Sequence, residues 1–272
     1  MKGYRSKTLI LAMTVLVLLV IVYVLGVLIP DDAIAGSYLN ANKAPSLSHF
    51  FGTDALGRDL FLRTLKGLSV SITIGMVASL ISGILAMLVG IVVATGSKWL
   101  DAVISWTIDL VMSVPHTIAI ILISFACGRG LVGLLIGISA THWCTLARLI
   151  RAEVLRIRSQ QYIAISRKLG RSSSWIWRHH ILPHIMPQLT VGLVLMFPHA
   201  ILHEASISFL GFGLPVERAA IGIILSESMR YLSAGMWWSA VLPGLTLVLV
   251  VLLIDKMADC LRMIMDPYTA QL

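Results

Sequence analysis

The chain is 272 residues long, with 58% hydrophobic and only 12% charged residues. A soluble globular domain carries about a quarter charged residues, so this composition excludes that class and indicates an integral membrane protein. The net charge of +8 does not indicate nucleic-acid binding, because the positive residues lie beside apolar stretches, where a membrane protein carries them. The three cysteines lie far apart and predict neither a disulfide framework nor a metal site.

Six apolar stretches have about the length needed to cross a hydrocarbon core of about 30 Å. They predict an all-α fold with about six transmembrane helices, over residues 8–29, 68–97, 102–126, 131–147, 185–210 and 238–257. The first stretch is longer than the ~7–15 apolar residues of a signal peptide, so we expect a retained helix. A signal peptide cleaved near Ala33-Ile-Ala35 is the alternative.

A polar segment rich in Pro and Gly follows the first predicted helix. Within it, Asp54 can cap a short helix, and Arg58 can pair with Asp54 or Asp59, so a self-capped turn is the expected local structure. We therefore divide the chain into a first helix with an extracytoplasmic segment, residues 1–67, and a transmembrane core, residues 68–272.

Histidines inside the apolar stretches are the strongest candidates for a functional site, because ionisable groups at membrane depth usually face a cavity or a partner. His199 and His203 are four residues apart and share one helix face, and Pro198 frees a backbone carbonyl one turn earlier. Counted along their helices, His199 and His116 both lie about 20 Å from the inner end. Neutral imidazole suits Ni, Co, Cu and Zn, so His199 and His203 are predicted metal ligands.

The alternative for each histidine is a hydrogen bond to a neighbouring helix. For His116, and for His142 near the inner end of its predicted helix, this alternative is favoured. Asp109 is expected to pair within the bundle or to contact a second subunit, and Glu204 to act as a gate or as a packing contact. Trp237 and Trp238 are expected in an interfacial aromatic belt.

A basic, polar loop at residues 148–185 interrupts the apolar pattern. Apolar spacing predicts a helix over residues 153–169, ended by Gly170, and a second short helix capped at residues 172–174. The second helix carries Trp175 and Trp177. These features predict a hairpin on one membrane face, and its many arginines place it, with the N-terminus, on the cytoplasmic side.

Two motifs resemble the permease subunits of ABC importers for peptides and nickel. The first resembles their Leu-Gly-Thr-Asp-x-x-Gly-Arg-Asp segment, with Phe51 in place of the leucine, and consists of Gly52, Thr53, Asp54, Gly57, Arg58 and Asp59. The second resembles their Glu-Ala-x-x-Ser-Phe-Leu-Gly-x-Gly segment and runs from Glu204 to Gly213. The preceding His199 and His203 resemble the nickel branch, and the Asp266-Pro267 pair resembles the family's usual end.

The basic loop resembles the cytoplasmic coupling loop of the same family at Gly170 and at Ile181-Leu-Pro183. The family's Glu-Ala-Ala positions are here Ala164, Ile165 and Ser166, so a salt bridge from the usual glutamate is absent. The resemblance implies that an ATPase docks against residues of this hairpin, namely Ala164, Ile165, Ser166, Gly170, Trp175 and Trp177. A basic hairpin held only by anionic lipid is the alternative.

The resemblance implies a type I ABC importer permease fold in a bacterial or archaeal cell membrane. It also implies three kinds of partner: a homologous second permease, two cytoplasmic ATPases and an extracytoplasmic substrate-binding protein. Residues 96–98, Gly-Ser-Lys, lack the order of a nucleotide-binding loop, so we expect a chain that is not an enzyme and binds no cofactor. ATP and Mg are expected on the partner ATPases.

The predicted cargo is nickel or a metal–chelator complex, on account of His199 and His203. The nearest alternative is a di- or oligopeptide carried by the same machinery. An ion-driven carrier acting without an ATPase often has internal inverted repeats, and none is visible. A membrane scaffold would not need paired histidines in the membrane.

Overall fold

The computed structural model describes the backbone of residues 2–265 and the side chains of residues 6–265. This part of the chain is helical, apart from loops and one isolated β-bridge between Thr53 and Asp59. Asp266 and Pro267 lie outside the described residues. The helices are α1 (Lys2–Leu28), α2 (Leu60–Thr95), α3 (Lys98–Ser113), α4 (His116–Ala126), α5 (Gly130–Arg158), α6 (Gln161–Lys168), α7 (Ser173–Ile176), α8 (Leu182–Phe209), α9 (Ile221–Met229) and α10 (Trp238–Met265).

Five helical stretches are long and apolar enough to cross a membrane, namely α1, α2, α5, the run that contains α8, and α10. The helices α3 and α4 satisfy the same criteria together, but the chain bends by 100° between them. The bend lies at Val114 and Pro115, because proline lacks an N–H and holds the preceding residue extended, here at φ −85° and ψ 135°. The prediction of an all-helical membrane protein with about six spans is confirmed.

The central helix of the bundle is α2, which packs against α5 and α8 through small residues. A Cβ atom added to Gly90 would lie 2.9 Å from Cβ of Ile150, and one added to Gly75 would lie 2.6 Å from Cγ1 of Ile201. The backbones therefore approach more closely than larger residues would permit. Helix α1 lies at the edge of the bundle, against α2 and α10.

The two ends of the bundle differ in what they carry. At the hairpin end, Arg158 at the end of α5 bonds the carbonyl of Ala94 at the end of α2, and α6 and α7 follow. The opposite end, here called the signature end, carries residues 29–59 and α9. At that end α9 buries Ile221, Ile223 and Ile224, so the segment between the fifth and sixth predicted spans contains a packed helix.

Helix α2 begins at Leu60, eight residues before the predicted Leu68, so the expected boundary between residues 67 and 68 falls inside a helix. Asp59 caps it and accepts hydrogen bonds from the N–H groups of Phe61 and Leu62 at 2.9 and 3.0 Å. The first turns of α2 carry two charged residues, Arg63 and Lys66. Both are accommodated in the helix because each has carboxylate partners. Lys66 donates to the Ile29 carbonyl at 3.0 Å and to Asp31, and so holds the pKa of the Asp31 carboxyl below its usual value.

Candidate functional site

An open-sided cavity of about 710 Å³ lies between α4, α5 and α8. Its wall combines imidazoles with aliphatic side chains and one arginine. Several of these side chains are exposed to solvent when the chain is taken by itself. The lining residues are His116, His142, Thr145, Leu146, Arg148, Leu149, Ala152, Gly192, Leu195, Met196, His199 and His203. Four of the eight histidines of the chain therefore line one cavity.

Three of these histidines form a compact cluster, here called the histidine trio: His116, His142 and His203. One ligand nitrogen from each lies within 4.8 Å of the other two. The ring centroids are separated by 4.6 Å (His116–His142), 4.8 Å (His116–His203) and 5.2 Å (His142–His203). The fourth histidine of the cavity, His199, lies one helical turn before His203 and is exposed.

Each member of the trio comes from a different helix. His116 is the first residue of α4, directly after the bend at Pro115. His142 lies near the middle of α5, about 18 Å from its start at 1.5 Å per residue. The apolar pattern stops at Ala147 and therefore predicts a position for His142 near the end of its helix. The helix in fact continues to Arg158, and this moves His142 to the depth of His116 and His203.

Hydrogen bonds hold part of the trio in place. His142 Nδ1 lies 2.9 Å from the Ile138 carbonyl of its own helix and 3.2 Å from Nε2 of His116. Thr141 Oγ1 lies 3.2 Å from the same His116 nitrogen. The expected contact between histidines and neighbouring helices is therefore present, and it lies in the wall of a cavity. A proton on His142 Nδ1 that is donated to Ile138 leaves the other ring nitrogen free to bind a ligand.

Glu204 lies beside His203 in sequence but is not among the residues that line the cavity. It is fully buried, and its carboxyl accepts hydrogen bonds from Ser71 of α2 at 2.5 Å and from Ser208 of α8 at 2.9 Å. Ser208 Oγ also accepts a hydrogen bond from the N–H of Leu214 at 3.3 Å. Of the two expected roles, this geometry is that of a packing contact between α2 and α8.

The signature residues form a charged network at the signature end. Asp54 accepts from the N–H groups of Leu56 and Arg58, as expected of a self-capped turn, and its carboxyl also pairs with the Arg58 side chain at 2.6 Å. Gly52 and Gly57 both have φ +73°, which favours glycine. Asp59 caps α2 and lies 2.7 Å from His49.

The network extends beyond the motif to two residues that no sequence pattern indicates, Arg63 and Glu227. Arg63 pairs with Asp54 at 2.6 Å and with Glu227 at 2.9 Å, and Arg58 reaches Glu227 at 2.9 Å. No sequence signal links Glu227 to the motif, because the contact spans most of the chain. The charges near the middle of the chain pair in a similar way: Asp109, expected to pair within the bundle, meets Arg148 at 2.6 Å.

The predicted helix over residues 153–169 is two helices, α5 and α6, separated at Ser159 and Gln160. Gln160 is extended, at φ −72° and ψ 145°, and the side chains of both residues bond the Arg156 carbonyl, which favours a turn over a continuous helix. Gly170 adopts φ +77° and ends the hairpin's first helix, as predicted.

The candidate coupling residues fall into two groups. Ala164 and Ile165 of α6 are exposed, with 57% of Ile165 accessible, and Ser166 is partly buried. Ser172 caps α7 as predicted, accepting from the Trp175 N–H at 3.2 Å. Both tryptophans, Trp175 and Trp177, are partly buried against the core of the bundle and so attach the hairpin to it. The face of α6 that carries Ala164 and Ile165 is exposed.

A bundle of helices long enough to span a membrane, with an open-sided, histidine-lined cavity between three of them, fits a membrane transport subunit. The chain belongs to the family of binding-protein-dependent transport system inner membrane components, whose model matches residues 86–267. It is therefore a multi-pass permease subunit of an ABC importer.

Several relatives of this chain are named as peptide permeases. The chain is 31% identical to the oligopeptide transport system permease protein OppC of Bacillus subtilis, covering 98% of this chain and 88% of the relative. It is 30% identical to the dipeptide transport system permease protein DppC of the same organism, covering 94% and 82%. A putative peptide transport system permease protein of Brucella suis is 36% identical over 93% of this chain and 86% of the relative.

A solved structure supports the fold. The crystal structure of an amino acid ABC transporter with histidines matches with a TM-score of 0.55 over 77% of this chain and 94% of that chain. At 16% sequence identity, this likeness concerns the fold alone.

Proposed function

We propose that this chain forms half of the translocation pathway of an ABC importer whose cargo is a transition metal, nickel in the first instance, carried free or as a chelate. The observation that carries the proposal is the convergence of four imidazoles from α4, α5 and α8 on one cavity. Neutral imidazole binds Ni, Co, Cu and Zn well, whereas Mg and Ca prefer oxygen ligands. No carboxylate is present among the described residues that line the cavity.

The size and polarity of the cavity favour a chelate over a bare ion. Its volume of about 710 Å³ is in the range of sites for organic ligands of about 300–1,000 Å³. Beside the imidazoles, the wall offers the apolar side chains of Leu146, Leu149, Leu195 and Met196. Apolar walls of this kind suit the organic part of a chelator, and the imidazoles suit its metal.

A di- or oligopeptide is the second candidate cargo, and the names of the relatives favour it. OppC, DppC and the Brucella protein are all named as peptide permeases. The same apolar wall would accept peptide side chains, and a peptide carboxylate would compete with Asp109 for the exposed Arg148. The imidazoles would then act as neutral hydrogen-bonding groups and not as ligands.

The machinery around the cavity follows from the family. A second, homologous permease would cover the open side of the cavity, and an external binding protein would deliver cargo at the signature end. Two ATPases carrying ATP and Mg would dock at the hairpin end, against the exposed face of α6 with Ala164 and Ile165. The positive charges of the hairpin support a cytoplasmic position for that end and, with it, for the N-terminus.

Uptake of radiolabelled nickel tests the cargo in cells that express the complete transporter, with and without this chain. Each arm is run with and without an added chelator and with an excess of dipeptide as competitor. We expect uptake that requires this chain and that the chelator increases. If peptide uptake requires this chain and nickel uptake does not, the second candidate cargo would be established.

The double variant His199→Ala with His203→Ala tests whether the imidazoles serve transport. We expect lower nickel uptake from a transporter that still assembles, since both side chains face the cavity. His184→Ala, an exposed histidine at the start of the same helix, is the matched control. Equal uptake by the wild type and the double variant would show that the imidazoles are structural.

A further inference from the structure

The histidine trio has the composition and spacing of a defined metal site. We propose that His116, His142 and His203 together bind one transition-metal ion, leaving a coordination position open toward the cavity. This inference deepens the proposed function by assigning a site within the pathway. It rests on that function only in taking the cavity as the route of the cargo.

The distances in the trio are close to those that a metal requires. Tetrahedral coordination with metal–nitrogen bonds of about 2.0–2.1 Å sets the ligand nitrogens about 3.3 Å apart. One ring nitrogen of each histidine lies within 4.8 Å of a ring nitrogen of the other two. Closing the widest pair takes a shift of about 1.5 Å, which small side-chain rotations provide.

A purely structural cluster explains the trio less well. Hydrogen bonds to Ile138 and Thr141 account for His142 and His116. Within the described part of the chain, the ring of His203 has ring contacts with both other imidazoles but no hydrogen bond. His203 also lines the cavity, so its ring is open to a ligand that enters there, and an ion shared with the other two rings is such a ligand.

The surroundings of the trio favour a borderline metal. The carbonyl of Ile138 lies 2.9 Å from His142, which is the kind of second partner that fixes the tautomer of a metal-bound imidazole. Arg148 is the one charged residue among the described residues of the lining, and it is paired with Asp109. With neutral nitrogen ligands and no carboxylate, the site discriminates against Mg and Ca.

The open position gives the site a part in transport. Three protein ligands leave room for a fourth donor from a chelator or from His199, one turn nearer the hairpin end. Because α4, α5 and α8 each supply one ligand, any movement that separates these helices removes ligands from the ion. The affinity of the site therefore changes when the pathway changes its access from one side to the other.

Cobalt binding tests the site directly. The complete transporter, purified with a histidine-free tag in lipid nanodiscs, is titrated with Co²⁺ and followed by visible absorption. We expect one ion per copy of this chain with the spectrum of nitrogen-ligated tetrahedral cobalt. Single variants His116→Ala, His142→Ala and His203→Ala should each lower the affinity at least about tenfold. His184→Ala should titrate like the wild type, and trio variants that also do so would overturn the proposal.

A measurement on the wild type tests the site without variants, which could lose metal binding because the transporter fails to assemble. X-ray absorption spectroscopy of the Ni²⁺-loaded transporter counts imidazole ligands through their multiple scattering. We expect three imidazoles in the first shell. A shell with fewer than two imidazoles, or one dominated by carboxylate oxygen or thiolate sulfur, would overturn the assignment.

The binding experiment tests the metal site and the uptake experiment tests the cargo, so one proposal can be wrong while the other is correct. If the trio binds metal and the cells take up only peptide, the site stands and the metal cargo is wrong. If nickel uptake requires the chain while the trio variants bind Co²⁺ normally, the cargo stands and the site is wrong.

Discussion

Arg63, near the start of α2, and Glu227, in α9, form an ion pair of 2.9 Å although 164 residues separate them in sequence. The Arg63 side chain is only 3% exposed, and it also pairs with Asp54 of the signature segment at 2.6 Å. One guanidinium therefore holds together the segment before α2, the helix itself and α9.

Arg63→Ala should destabilise the signature end strongly. Removing one partner of a buried ion pair costs about 3–5 kcal/mol, because it leaves uncompensated buried charge. Arg58→Ala is the matched control, since its side chain pairs with the same carboxylates but is 20% exposed, against 3% for Arg63, so we expect a smaller loss. Thermal unfolding of the purified complex measures both. A loss of stability from Arg58→Ala that equals the loss from Arg63→Ala would contradict this ranking.

Gly170→Pro should uncouple ATP hydrolysis from transport. Proline fixes φ near −65°, whereas Gly170 has φ +77° and donates its N–H to the Arg167 carbonyl at 3.0 Å. The turn between α6 and α7 would therefore be rebuilt while the ATPases remain intact. We expect continued ATP hydrolysis with little cargo uptake in a reconstituted transporter.

Gly170→Asn is the control for this turn. Asparagine tolerates positive φ, and an added Cβ meets no atom within 4 Å. We expect nearly normal coupling from it. Normal transport by Gly170→Pro would show that the hairpin does not transmit the motion of the ATPases.

The hydrogen bond between Ser71 and Glu204 should be a measurable link between α2 and α8. Interhelical hydrogen bonds in membranes contribute about 0.6 and at most about 1.7 kcal/mol. A double-mutant cycle with Ser71→Ala and Glu204→Ala, read from the stability of the complex in detergent, should give a coupling energy in that range. A coupling energy of zero would mean that the contact holds nothing together.

The contact of α2 with α5 should tolerate no added methyl group. A Cβ at Gly90 would lie 2.9 Å from Cβ of Ile150 and 3.0 Å from the Ala147 carbonyl, so Gly90→Ala should cost about 1–3 kcal/mol. Gly244→Ala in α10 is the control, because its nearest neighbour is 3.7 Å away. It should leave stability unchanged or raise it by about 0.5–1 kcal/mol through helix propensity. Thermal unfolding of both variants measures these changes in stability. Equal changes for the two variants would contradict the close approach of α2 and α5 at Gly90.

Local chemistry in the sequence was enough to predict several features correctly. The apolar lengths predicted the number of spans, and the Gly170 turn and the Ser172 cap were identified from residue type alone. Helix bounds were less accurate. Charged residues made the start of α2 look like a loop, because their partners Asp54, Glu227 and Asp31 are visible only after folding.

The sequence by itself determined that this is a helical membrane protein of the ABC importer permease family, because span length and short motifs are local properties. Only the tertiary structure decided which histidines meet. The bend at Pro115, the extension of α5 past Ala147 and the packing of α8 bring His116, His142 and His203 together. Spacing along one helix could pair His199 with His203, but a site built from three helices depends on how the helices pack against one another.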